Sequence, residues 1–279
     1  MTKNKTFWVG IVAAAALALT GCGDDATGTG GTAGSGGTAG TGGGMGGAGG
    51  MPEGTATVLA AHFAPDVPSA EDTAVAIFVN GEEVTALGTL SYGQSTGRVE
   101  LPAPATYDIG IGIAGDDGPL LELSGVELND GDDIAAVAYR TNEMPLPVAV
   151  FTYNLSTEGL VEGSGRVFVS HGANDSLLDP VDVIVTDEGA CPEPLLDQFV
   201  FGTTAPAEGN LDLPAANYNL GFDLDPGDCV AEVGFTAPVT ADVTTIVVAV
   251  DEDTTDASLA PQVWAIVDGS DSPVALIAE

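Results

Sequence analysis

The chain has 279 residues, 44% hydrophobic and 16% charged, which is the composition of globular material rather than of a disordered acidic tail. Asp and Glu number 41 against 5 Lys and Arg, a formal net charge of −36, so the surface repels nucleic-acid phosphates and anionic headgroups, and nucleic acid is excluded as a partner. Such acidity favours solubility at a cost in self-repulsion, which salt or divalent cations screen.

Lys3 and Lys5 precede an apolar run from Phe7 to Leu19. That run is shorter than the roughly 18 residues a membrane span needs, and it reads as the core of an export signal. It ends in Leu19-Thr20-Gly21-Cys22, which resembles the lipobox of bacterial lipoproteins, where small residues precede a cysteine. The resemblance implies a signal peptide over 1–21 and a mature N-terminus at Cys22, thioether-linked to diacylglycerol and N-acylated, typically by palmitate. One acyl chain binds a bilayer marginally and two or more anchor it, so the implied partner is a membrane and the implied location the cell envelope, with the outer membrane or cell surface favoured over the inner membrane. Once Lys3 and Lys5 are removed with the signal, Arg98, Arg140 and Arg166 are the only Lys or Arg left. Residues 22–53 form the next unit. From Gly23 to Gly50 the chain is nearly all Gly, Thr, Ala and Ser and cannot bury a core, so it is expected to be a disordered leash with its ends about 30 Å apart.

Beyond the leash the sequence repeats itself, which is its strongest internal signal. Val58-Leu59-Ala60-Ala61-His62-Phe63-Ala64-Pro65-Asp66 returns as Val167-Phe168-Val169-Ser170-His171-Gly172-Ala173-Asn174-Asp175. Val75 to Val79 matches Val181 to Val185, Tyr92-Gly93 matches Phe201-Gly202, and Leu101-Pro102-Ala103 with Tyr107 matches Leu213-Pro214-Ala215 with Tyr218. Late in each copy an apolar run, Ile134 to Tyr139 or Thr245 to Val250, precedes another, Val148 to Tyr153 or Val263 to Val267. These segments are short, rich in Val, Ile and aromatics, and bounded by Gly, Pro, Asn or Asp, which predicts strands. No helical period is sustained after Leu19, and Asn80-Gly81 is a hairpin signal. The pattern predicts an all-β protein of two tandem immunoglobulin-like β-sandwich domains, over 54–158 and 162–279.

Several of these segments resemble the bacterial domain-of-unknown-function family 4397, which occurs as tandem copies in exported proteins. They are His62-Phe63-Ala64-Pro65-Asp66-Val67-Pro68, Ala76-Ile77-Phe78-Val79-Asn80-Gly81 and Leu101-Pro102-Ala103-Pro104-Ala105-Thr106-Tyr107. The second copy departs from the family pattern at Asn174, where proline is expected. The resemblance implies a β-sandwich and brings no activity with it.

The candidate chemistry is sparse. His62 with Asp66, repeated as His171 with Asp175, pairs an imidazole with a carboxylate. A zinc site wants three or four ligands and each copy has one histidine, so these are read as structural, the ring tying the strand end to the following loop. Gly93-Gln94-Ser95-Thr96-Gly97 has the letters of a hydrolase nucleophile elbow, which requires a strand-to-helix turn, but a strand is expected here. Gly110-Ile111-Gly112-Ile113-Ala114-Gly115 has those of a dinucleotide fingerprint, yet Asp116 and Asp117 stand where a pyrophosphate should be received. Acidic loops at Asn129 to Asp133, at Asp223, Asp225 and Asp228, and at Asp251 to Asp253 could offer carboxylates to calcium without matching the EF-hand spacing. Cys191 and Cys229, an even pair in an exported chain, read as a disulfide worth about 3 to 4 kcal/mol in the chain-entropy model. Trp264 is expected in the core. The resulting expectation is a non-catalytic envelope lipoprotein without a cofactor, acting in display, adhesion or structure. Its alternatives are a calcium-dependent ligand or polysaccharide binder and a serine hydrolase using Ser95 and His62.

Overall fold

A computed structural model describes residues 54–69, 72–141, 147–173, 179–186, 194–207, 209–224, 230–250, 262–270 and 272–276. Its first repeat contains β1 (Gly54–Phe63), β2 (Val75–Val79), β3 (Glu82–Glu83), β4 (Thr89–Leu90), β5 (Gln94–Ala103), β6 (Ala105–Gly112), β7 (Leu121–Leu128), β8 (Asp133–Arg140) and β9 (Val148–Asn154). The second contains β10 (Ser164–Gly172), β11 (Val181–Val185), β12 (Leu196–Phe199), β13 (Thr204–Ala205), β14 (Leu211–Pro214), β15 (Ala216–Asp223), β16 (Val233–Val239), β17 (Thr244–Val250), β18 (Gln262–Val267) and β19 (Val274–Leu276). The fold is all-β. Its only helical element among the described residues is a single 3-10 turn, Thr85–Leu87.

Each repeat makes two sheets. In the first, β3-β2-β6-β7, with β4 also on β2, faces β5-β1-β8-β9; in the second, β12-β11-β15-β16 faces β13-β10-β17-β18-β19, with β14 also on β10. The two copies share a register: β1 runs parallel to β8 with His62 opposite Ala138, and β10 runs parallel to β17 with His171 opposite Ala249. Asn80 and Gly81 take φ of 54° and 77°, the left-handed values a two-residue hairpin needs, and they close β2 onto β3.

Strand alternation distributes the core among three apolar layers. On β1, Val58 faces the outer sheet of its own repeat and packs with Ala103, Tyr107 and Leu128, while Leu59, Ala61 and Phe63 face the other way. On β17, Val247 and Ala249 pack with Val167, Val169, Phe222 and Phe235 in the second repeat's own core. Ile246, Val248 and Val250 instead join Leu59, Phe63, Val137, Tyr139, Phe151 and Phe168 in a layer built from both repeats. The sequence reading treats the copies as separate sandwiches; the structure adds this middle layer. Its physical signature is burial on both faces, which makes β10 and β17 buried at every residue. Such strands read as continuous apolar runs instead of alternating ones.

Candidate functional site

The repeated histidines sit where the first strand of each copy leaves its sheet. His62 is 1% exposed, and its Nε2 lies 3.2 Å from the carbonyl oxygen of Val67, so Nε2 carries the proton and donates. Burial lowers its pKa from the ordinary value, against backbone hydrogen bonds with Val67 and Thr73 that raise it, and the ring is held neutral. Asp66 takes φ of 64° and meets Arg140 Nη1 at 3.3 Å. The backbone carbonyls of His62 and His171 accept from Gly93 and Gly202, at 2.8 and 2.7 Å. The His171 ring packs against Phe199 and Phe201 at 5.8 and 6.2 Å. Asp175 lies outside the described residues.

Ser95 belongs to β5, within one continuous strand, so the elbow geometry is replaced by a ladder. Pairing of Ala61 with Ser95 and of His62 with Gln94 puts Ser95 on the sheet face opposite His62. A serine and a histidine on opposite faces of one sheet do not form the direct hydrogen bond a nucleophile–base pair requires. Two of the three fingerprint-like glycines have a packing explanation. A Cβ on Gly110 would stand 2.6 Å from Pro119, and one on Gly112 would stand 2.8 Å from Phe78 and 3.0 Å from Pro119. The loop before β7 therefore lies flat on the outer sheet and covers Phe78.

The tyrosines of the Leu-Pro-Ala motif are equally local. Tyr107 Oη donates to the Pro102 carbonyl at 2.6 Å, and Tyr218 Oη donates to that of Pro214 at 3.0 Å, each clamping the corner into the next strand. The acidic loop before β8 is tied to its own turn and to β1 and β5. Asp132 Oδ2 accepts from Asn129 N at 2.7 Å, Asp130 Oδ1 accepts from Thr55 N at 3.0 Å, and Asp133 pairs with Arg98.

Of the predicted calcium ligands, Asp223 is described and 2% exposed, while Asp225 and Asp228 lie outside the described residues, as do Cys22, Cys191, Cys229 and the loop from Asp251 to Asp253. The structure adds a carboxylate that sequence reasoning missed: Asp182, 4% exposed, stands directly opposite Asp223 across the β11–β15 ladder. Asp182 Oδ1 accepts from Gln198 N at 2.7 Å. The missed signal was Asp182 breaking an otherwise apolar strand, Val181 to Val185. Among the described residues no three His, Cys, Asp or Glu side chains are grouped as a metal centre.

Arg98 joins the copies to each other, and Arg166 joins the second copy to the connection between them. Arg98 of β5 reaches Asp133 in its own repeat and Asp268 in the other. Burial pushes the Asp133 carboxyl up, Arg98 draws it back, and Asp268 adds to the upward push. Arg166 of β10 holds Asp212 and donates to the carbonyls of Ser156 and Glu158 in the inter-repeat connection. Trp264 rests on Phe63 and Tyr92 of the first repeat, with ring centroids at 5.4 and 6.2 Å. Tyr139 stacks on Phe151 at 3.9 Å and meets Phe201 of the second at 6.0 Å. Tyr153 Oη and Ser170 Oγ share a buried inter-repeat hydrogen bond, and burial raises the Tyr153 phenol well above its ordinary pKa. No protein-family model matches the chain, and no curated protein matches it significantly.

Proposed function

We propose that the chain is a non-catalytic lipoprotein of the cell envelope, anchored through Cys22 and holding a rigid four-sheet body off the bilayer on its glycine-rich leash. The body serves display, adhesion or envelope structure, and its two copies belong with the domain-of-unknown-function family 4397 they resemble. One observation carries the reading: residues common to both copies act on the fold itself. Tyr107 and Tyr218 clamp proline carbonyls, and Gly93 and Gly202 bond the histidine carbonyls. A surface outside the cytoplasm also suits a Cys191–Cys229 disulfide.

Labelled palmitate fed to the producing cell tests the anchor. Incorporation into the wild-type chain, lost together with membrane association in Cys22→Ser, is the expected result; a variant that keeps label and membrane overturns it.

A second reading, calcium-dependent stabilisation or ligand binding, is favoured by the buried Asp182–Asp223 pair. Carboxylates directly opposite each other in a ladder repel, and a cation held between them would relieve that repulsion. Asp223 also leads directly into Asp225 and Asp228. Millimolar calcium is expected to raise the Tm of the wild-type chain above the effect of sodium at equal ionic strength, and Asp182→Asn to remove the difference. Equal effects of the two salts on wild type dispose of this reading.

A further inference from the structure

The two sandwiches are filled unequally at equivalent positions. With His62 and His171 in register, Ala60 of β1 corresponds to Val169 of β10, and the ladders to β8 and β17 make Ala136 the counterpart of Val247. All four lie on central strands and face the interior of their own sandwich. Val169 and Val247 are 4% and 2% exposed, whereas Ala60 and Ala136 remain half-buried in the middle of the fold.

The missing methyl groups leave a cleft between the two sheets of the first repeat. It has two lobes of about 30 and 40 Å³ that meet at Ala60, Ile77 and Ile109. One lobe runs toward Leu123 and Val150, the other toward Leu87 and Leu101. Among the described residues of the second repeat, the void beside His171 measures about 10 Å³. Apart from His62 and Thr96 the lining is aliphatic or glycine, with no other aromatic ring on which a sugar or base could stack.

We propose that this cleft binds a short unbranched alkyl chain with a neutral or cationic head group. One water needs about 10 to 15 Å³ of such space, so the two lobes together hold about half a dozen methylenes. The head is selected by charge. The protein carries a net charge of −36 and the lobes are lined by no Lys or Arg, so a carboxylate or sulfate head is repelled. The proposal is independent of the anchor and of calcium.

The test uses the full chain with Cys22→Ser, so that no acyl group competes, titrated calorimetrically with butyl-, hexyl- and octyltrimethylammonium, 1-octanol and octanoate. Affinity is expected to rise about fourfold per added methylene until the cleft is full. The cation and the alcohol are expected to bind at least tenfold more tightly than octanoate. Ala60→Val with Ala136→Val, which copies the second repeat, should abolish binding and raise Tm. Amide shifts in the labelled chain with alanines intact locate the ligand without any reliance on that variant, and should move along β1, β2, β6 and β8. Binding that survives the double substitution, octanoate binding equal to that of the cation, shifts elsewhere or none, or sedimentation showing a second copy of the chain in the cleft overturns the proposal.

Discussion

His62, read from the sequence as tying the strand end to the following loop, lies buried with its ring against a carbonyl of that loop. Its ring is buried and neutral, with burial lowering the pKa and the backbone hydrogen bonds with Val67 and Thr73 opposing that shift. Because the folded value lies below the ordinary 6.5, the unfolded chain takes up the proton first as pH falls. The contribution of His62 to stability is therefore complete above about pH 6.5 and is lost as pH drops through the folded value. Denaturant melts of wild type and His62→Gln from pH 8 to pH 5 are expected to show a steeper acid loss for wild type; parallel curves would contradict it. The histidine repeat itself was legible in the sequence. Its hydrogen-bond acceptor was not, because the Val67 carbonyl is brought to Nε2 by a loop conformation that no residue pattern specifies.

At the scale of elements, three of the glycines that mimic known motifs, Gly93, Gly110 and Gly112, mark close approaches, whereas Gly97 and Gly115 stand in open space. Gly93 combines a φ of 79°, which favours glycine, with the Trp264 ring 2.9 Å from where a Cβ would stand. Gly115 has a similar φ of 82° but open space around it. Gly93→Ala is therefore expected to cost more than the 1 kcal/mol or so that backbone strain alone costs at Gly115→Ala, measured as the difference between their unfolding free energies. Equal losses would mean that the Trp264 contact relaxes freely. The strand over Val75 to Val79 and the turn at Asn80-Gly81 were readable from residue types alone, since strand propensity and a left-handed turn are local properties. The Gly110 and Gly112 letters were misleading for the opposite reason: their cause, Pro119 lying on the sheet, is a contact made across a loop.

For the whole molecule, the middle layer makes the two copies one body, since the chain from Gly49 to Glu279 forms a single compact unit. The copies have diverged in a complementary way at this layer. Phe63 and Tyr139 are large where their counterparts Gly172 and Val250 are small, and the Tyr139 ring occupies the space beside Gly172, 3.2 Å from where a Cβ would stand. Ile246, fully buried in the shared layer, belongs by sequence to the second copy. Ile246→Ala is expected to cost about 2 to 5 kcal/mol, as in an ordinary core. It should lower the unfolding midpoint of both copies together, with Trp264 fluorescence and far-ultraviolet circular dichroism still coinciding. Two separated transitions would show that the copies unfold independently.

The sequence by itself determined the strand content, the duplication, the histidine and tyrosine positions common to both copies, and the excess of acid, because each is written in local residue type or in repetition. Tertiary structure alone decided that the copies pack face to face, that Asp182 meets Asp223, that Ser95 points away from His62, and that Ala60 and Ala136 leave a cleft. Those outcomes depend on which of two faces of a strand meets which neighbour across the stack, and an apolar run buried on both faces carries no alternation from which to read it.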